Sequence, residues 1–293
     1  MTLRVTHRTT YRYNEPVSTS YHALRLSPRT LPHQRCHGTQ LVMDPSPSFS
    51  NTRSDYFGNT VVLVTLQEPH QQLTVEANSD VQLVAKSLVE PVETPAWEQA
   101  CRLLTEHPSS EELDAFQFTF ESSQVRCADQ FADYARVSFT AGTPLLVSAQ
   151  DLTARIHQDF QYDVGATNIT TPIEEVFERR RGVCQDFAHL QIACLRSVGL
   201  AARYVSGYLQ TFSAPNLERL VGADASHAWV SVYCPGTGWI DLDPTNNLVP
   251  STHHVTLAWG RDYNDVSPIR GVIQGGGSHD LTVSVDVSSV EEG

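Results

Sequence analysis

The chain has 293 residues, and its 20 Lys plus Arg against 33 Asp plus Glu give a formal charge of −13. That length suits one large domain or two ordinary ones. The acidic balance repels phosphate backbones, which argues against a nucleic-acid partner. No apolar run reaches the ~18 residues of a membrane-spanning helix. Met1 to His7 carries no apolar signal core, so a cytoplasmic protein with no membrane partner is expected. In that compartment Cys36, Cys101, Cys127, Cys184, Cys194 and Cys234 stay reduced. None forms a C-x-x-C pair, which argues against a structural zinc site.

Taken in chain order, the first third reads as strands: Leu3 to Tyr13, Thr39 to Met43, Val61 to Leu66 and Leu73 to Leu83. Turn clusters separate them, at 14–16, 44–47 and 58–59, as in an antiparallel β-sandwich. The predicted organisation is an N-terminal β domain over 1–88, a linker over 89–95 and a second domain over 96–293. Beyond the linker the pattern turns helical. Helices are expected at Trp97–Leu104, at Ala128–Tyr134 and from Pro144, with Leu145, Leu152, Ile156 and Phe160 as a stripe. Thr171 and Glu174 suggest a capping box for a helix stopped at Gly182. A further helix opens at Cys184, with Phe187, Cys194 and Val198 facing inward. Strands follow at Arg203–Leu209, His227–Tyr233, Trp239–Asp243 and Leu281–Val287. The fold class is α+β.

The chemistry-bearing candidates lie around Cys184. A thiol at a helix start meets unpaired backbone N–H groups and the positive end of the dipole, which favour thiolate. Those N–H groups also suit an oxyanion. Free cysteines are more often packing groups, so the thiol alone does not decide the matter. The hairpin after it adds weight. If Tyr233 pairs with Trp239 across the 234–238 loop, Trp229 faces Asp243 and His227 lies one diagonal step away. A carboxylate near an imidazole fixes its tautomer and stabilises its charged form. The alternatives are a merely hydrogen-bonded strand His and a turn Asp ahead of Pro244.

Three segments, Gly182-Val183-Cys184-Gln185-Asp186-Phe187-Ala188-His189, Ser226-His227-Ala228-Trp229-Val230 and 238–246 with its Asp243-Pro244-Thr245, resemble the core motifs of the transglutaminase-like superfamily. The whole chain resembles its bacterial members that are regarded as cysteine proteases. Residues 1 to about 85, with Asp55-Tyr56-Phe57-Gly58-Asn59, resemble their N-terminal domain, and 260–263 and 268–271 their downstream segment. The resemblance implies a papain-like core, a helix bearing the Cys packed on an antiparallel sheet bearing the His and Asp. It implies Cys184 as nucleophile, His227 as general base and acid, and Asp243 as orienting carboxylate, acting on a peptide or protein substrate without a cofactor.

Around that trio, Trp229 and Trp239 read as core or as an acyl-binding wall, and Tyr208 and Gln185 as substrate contacts. Asp186 and His189 read as loop supports, and Arg261, Asp262 and Tyr263 as an ion-paired loop or a substrate rim. His253 and His254 point to opposite faces of an extended segment, so no metal is expected there. Arg179-Arg180-Arg181 reads as a solvated helix end. The activities in view are peptide or amide hydrolysis, transamidation, or a catalytically idle scaffold.

Overall fold

The structure is a computed structural model, and it describes residues 1–86, 89–210 and 226–290. Its N-terminal half is organised by one strand, β1 (Thr2–Leu24), whose alternate residues are buried, as for a strand with one face on a core. Four strands follow: β2 (Gln34–Asp44), β3 (Phe49–Ser54), β4 (Thr60–Leu66) and β5 (His70–Leu83). The first half of β1 pairs antiparallel with β5, which pairs with β2. Its last residues pair with β4, which pairs with β3. The register breaks between Arg12 and Val17, where Pro16 has no N–H to give the ladder. One continuous sheet therefore turns a corner and closes on a shared core of Tyr13, Val17, Leu24, Met43, Leu66 and Leu73. This is how the expected sandwich-like packing arises.

A helical region follows a 3-10 turn at Pro91–Glu93. It comprises α1 (Trp97–Glu106), α2 (Ser110–Phe116), α3 (Asp129–Arg136) and α4 (Leu145–Asp159). The two-residue strands β6 (Gln161–Tyr162) and β7 (Arg181–Gly182) pair in parallel around α5 (Ile173–Arg179). Then comes α6 (Cys184–Ser197). Next are β8 (Ala202–Leu209), β9 (Ser226–Cys234), β10 (Gly238–Leu242) and β11 (His254–Gly260), an antiparallel sheet in the order β10-β9-β8-β11. Buried Phe187, Leu190 and Cys194 of α6 pack against Tyr204, Ala228, Val230 and Val232 of this sheet. Phe187, Leu190, Val230 and Val232 each contribute roughly 1.5–3 kcal/mol by leaving water. Among the described residues no helix is long and apolar enough to cross a membrane.

The chain ends with α7 (Tyr263–Val266), β12 (Ile269–Gly275) and β13 (His279–Ser289). Both strands return to the N-terminal sheet and pair with β1 along its free edge. The strand expected at Leu281–Val287 thus exists, but it completes the first sheet rather than the second domain in which the sequence placed 96–293.

The two sheets are bound together twice. Leu3, Val5, Leu83 and Val287 pack on Tyr208, Val255 and Leu257. The outer edge of β11 would otherwise expose unpaired backbone groups. Gln34 Oε1 accepts from Thr256 N–H at 2.7 Å while its Nε2 donates to the Thr256 carbonyl. Asn59 does the same for Trp259, at 3.0 and 2.8 Å. Two side-chain amides therefore act as short lengths of a missing strand.

Several local expectations are corrected. Thr171 does not cap α5; its hydroxyl accepts from Asn168 N–H, and Pro172 stands at the cap. The helix ends on Arg180 in the left-handed region, not at Gly182. Nor is 179–181 a purely solvated run, because the Arg180 guanidinium lies 4.4 to 5.3 Å from the rings of Phe177, Phe160 and Tyr134. α2 lies where no helix is expected from the sequence, and it is capped by Ser109; that hydroxyl accepts from Glu111 N–H and donates to Glu112.

Candidate active site

The approach to Cys184 is fixed from both sides. The β6–β7 pairing holds 181–182, and Asp163 N–H donates to the Gly182 carbonyl at 2.9 Å. Asp186, on the first turn of α6, accepts from Val183 N–H at 2.8 Å and from the Thr167 hydroxyl at 2.6 Å. A Cβ on residue 182 would stand 2.7 Å from that carboxylate. Gly182 is there for this close approach. Cys184 is the first residue of α6 and is partly exposed, with Tyr162 and Tyr204 as neighbours. Burial raises both phenols, that of Tyr162 to about 12, and charge on Cys184 adds to the effect.

The hairpin register is the expected one, with Trp239 opposite Tyr233 and Leu242 opposite Val230. Asp243 follows directly, and its Oδ2 lies 2.8 Å from His227 Nε2. The carboxylate is saturated. Its Oδ1 accepts from the N–H groups of Thr245 and Asn246, and its Oδ2 accepts from Asn246 Nδ2 at 2.8 Å. A second imidazole also reaches Oδ2, His254 Nε2 at 3.3 Å. His227 and Asp243 are 1% and 0% exposed, so water does not screen the pair.

Electrostatics follow. Burial alone would lower the His227 pKa, but the charge and hydrogen bond of Asp243, aided by Cys184, raise it above the ordinary imidazole range. Burial would raise Asp243; the charge and hydrogen bond of His227, with the hydrogen bond from His254, hold it far below the carboxylate range. Burial lowers His254, with the charge of His227 adding to the effect, so it is a neutral donor. His227 Nδ1 is buried with no hydrogen-bond partner among the described residues. With Nε2 engaged by Asp243, Nδ1 is the nitrogen left to face Cys184, whose interaction with the ring favours the charged form. The ligand atoms of His227, Asp243 and His254 lie within 4.8 Å of one another, a spacing a metal ion could bridge.

The structure thus gathers Cys184, His227 and Asp243, with Gln185 on the same first turn. Of the other expected contacts, Tyr208 and Trp239 lie elsewhere, and Trp229 packs behind the imidazoles without reaching the surface. Trp229 is fully buried; its ring packs 6.1 Å from His227 and 5.3 Å from His254. It crosses over Gly207, where a Cβ would stand 2.3 Å from the indole. Tyr208 is also buried, its hydroxyl 3.0 Å from His7 Nδ1 at the contact between the sheets. Trp239 lies six residues along the hairpin from His227, roughly 20 Å away at strand rise. Trp229 and Tyr208 are therefore packing groups, whereas Trp239 is half-buried on the edge strand β10 and lines a cavity away from the thiol. His189 accepts from Tyr263 N–H at 3.1 Å, and burial lowers it to about 4, so it is a neutral support. Arg261 pairs with Asp265 at 2.9 Å, and Asp262 caps α7. His254 and Asn246 were not assigned to the site from sequence. The Asn246 signal was its place three residues after Asp243; His254 reaches the site only through β11.

The model of the bacterial transglutaminase-like N-terminal region matches residues 3–82, and that of the transglutaminase-like superfamily matches 133–244. An uncharacterized protein of Mycobacterium tuberculosis is 41% identical over 297 residues, covering 98% of this chain and 93% of its own. The chain belongs to the transglutaminase-like superfamily. An uncharacterized protein of Mycobacterium leprae is 32% identical over 98% of both chains. A protein-glutamine gamma-glutamyltransferase of Pseudomonas aeruginosa is 32% identical over 110 residues, 34% of this chain and 16% of that one. A solved structure of a proposed cysteine protease from Cytophaga hutchinsonii superimposes with a TM-score of 0.76 at 23% identity. It covers 100% of this chain and 92% of that one, which establishes the shared fold.

Proposed function

We propose that this transglutaminase-like protein carries out thiol-dependent acyl transfer on peptide or isopeptide amides, with water as the usual acceptor. The observation that carries this reading is the buried His227, held by Asp243 through Nε2 and left with Nδ1 for the partly exposed Cys184. The Cys184 thiolate attacks the amide carbonyl, and N–H groups of the first turn of α6 hold the oxyanion. Protonated His227 gives its proton to the leaving amine as the C–N bond breaks, leaving a thioester on Cys184. Neutral His227 then takes a proton from water as the oxygen adds, and collapse releases the acid and the thiolate. Asp243 stays ionised throughout and stabilises the imidazolium. Gln185, beside the nucleophile, is proposed as a substrate contact.

The reading that a primary amine replaces water is favoured by the likeness to the Pseudomonas gamma-glutamyltransferase, which spans the motif region. The test is incubation of the full chain with a peptide library, with and without a primary amine, followed by mass spectrometry. Cleavage supports hydrolysis, and amine incorporation supports transamidation. No change that depends on Cys184 removes both readings and leaves the idle scaffold.

A further inference from the structure

The same sheet carries a second polar site that the acyl-transfer chemistry does not use. Arg203 on β8 is only 9% exposed. Its guanidinium lies 4.2 Å from the Trp239 ring and 3.7 Å from the Trp259 ring. Its Nε is buried without an acceptor, and no hydrogen bond joins the group to any described residue. A buried guanidinium with its donors unmet is costly. The nearby acid does not meet them, because Asp241 Oδ2 is held by Lys86 Nζ at 2.5 Å. Arg29, stacked 3.5 Å from Trp259, adds a further positive charge. In a chain of charge −13 this is a locally positive place.

Arg203, Lys86 and the Lys86-paired Asp241 line a cavity of about 370 Å³, walled by Leu31, Val205, Trp239 and Trp259. That volume is at the small end of ligand pockets, which combine apolar walls with a few fixed polar groups. A guanidinium fork matches a carboxylate with two parallel hydrogen bonds. We propose that this cavity binds a small carboxylate with a flat apolar body, its two oxygens on Arg203 and its body between Trp239 and the Leu31 side. The carboxylate is that of a free acid or of a peptide C-terminus. The site is separate from the thiol centre. Arg203 pairs with Ser231, four residues along β9 from His227, or roughly 13 Å at strand rise.

Trp239 and Trp259 are two of the chain's four tryptophans, so occupancy is read by fluorescence. The probes are benzoate and its uncharged analogue benzamide, then a short peptide with a free C-terminus and its amidated twin. Benzoate is expected to give a saturable change with a dissociation constant below about 10 mM, and benzamide none. Binding by the free-acid peptide identifies a chain terminus as the source; binding by benzoate alone identifies a small acid. Arg203→Lys, which keeps charge but loses the fork, is expected to weaken benzoate about tenfold. Lys86→Met, which releases Asp241 to neutralise Arg203, is expected to do the same. Cys184→Ala leaves binding unchanged. No saturable signal in the wild-type protein, equal responses to benzoate and benzamide, or unchanged affinity in both folded variants overturns the proposal. The wild-type comparison decides the matter even if neither variant folds.

Discussion

Replacing Asp243 by Asn keeps the shape and removes the charge on which the site depends. Oδ1 continues to accept from the N–H groups of Thr245 and Asn246. The new amide N–H groups, however, point at His227 Nε2, His254 Nε2 and Asn246 Nδ2, which all donate to Oδ2 in the parent. Donor then faces donor, and His227 is driven to place its proton on Nδ1, the nitrogen needed by Cys184. The electrostatic loss can be sized. For charges about 4 Å apart at an effective dielectric of about 20, the attraction is about 4 kcal/mol, or three powers of ten in a protonation equilibrium. Burial, which opposes the charged ring, then dominates. The ring should titrate below its ordinary 6.5 in Asp243→Asn and above it in the parent. Histidine-ring NMR titration of both proteins, with His227 assigned by its own substitution, reads this directly. Turnover of a peptide found by the library should fall about 10³-fold. A parent ring titrating near 6.5, or one unmoved by the substitution, refutes the electrostatic argument.

Three further outcomes follow from the geometry. Gly182→Ala places a Cβ 2.7 Å from the Asp186 carboxylate; it should cut turnover at least about tenfold while costing only 1–3 kcal/mol in a denaturant melt. Full activity in that variant would mean that the Cys184 approach is not held as described. Gly207→Ala meets the Val255 carbonyl at 2.2 Å and the Trp229 ring at 2.3 Å. Backbone does not yield cheaply, so soluble folded yield should collapse, and a variant melting with the parent would contradict the packing. His7, His22, His33 and His189 are each lowered to about 4 by burial. Between pH 6.5 and 4 the unfolded chain binds more protons than the native one, so stability is present above 6.5 and lost as pH falls through that window. His227 does not oppose this, since below 6.5 it is protonated in both states. The melting temperature should drop between pH 7 and pH 5, and a rise would contradict the sign.

Much of this was legible from local signals. The Tyr233–Trp239 register follows from loop length and alternation, and it alone puts Asp243 within reach of His227. The start of α6 at Cys184 followed from its position after Gly182 and the apolar stripe beyond. What failed was non-local. Alternation distinguishes two faces of a strand, but it does not say that both are covered. Tyr208 reads as a substrate contact on the alternation of its strand alone, but the N-terminal sheet that buries it lies far away in sequence. β3 was missed because all six of its residues are exposed, leaving no apolar period to see. His254 joins Asp243 only because β11 pairs with β8 on the opposite edge from β10. The return of β12 and β13 to β1 joins partners as far apart as Leu3 and Ser289 and nowhere closer than Leu24 and Ile269, a distance over which no periodicity carries information.

The central claim is that one thiol of six is reactive because of where it sits. Burial pushes the thiols of Cys101, Cys127, Cys194 and Cys234 up, that of Cys101 to about 11. Cys184 is partly exposed at a helix start beside a charged imidazole. The most direct measurement is timed iodoacetamide labelling near neutral pH, with peptide mapping of all six cysteines. Cys184 should be alkylated far ahead of the rest, and His227→Ala should abolish that lead. Equal, slow labelling at every cysteine, or a lead that survives the loss of His227, contradicts the account.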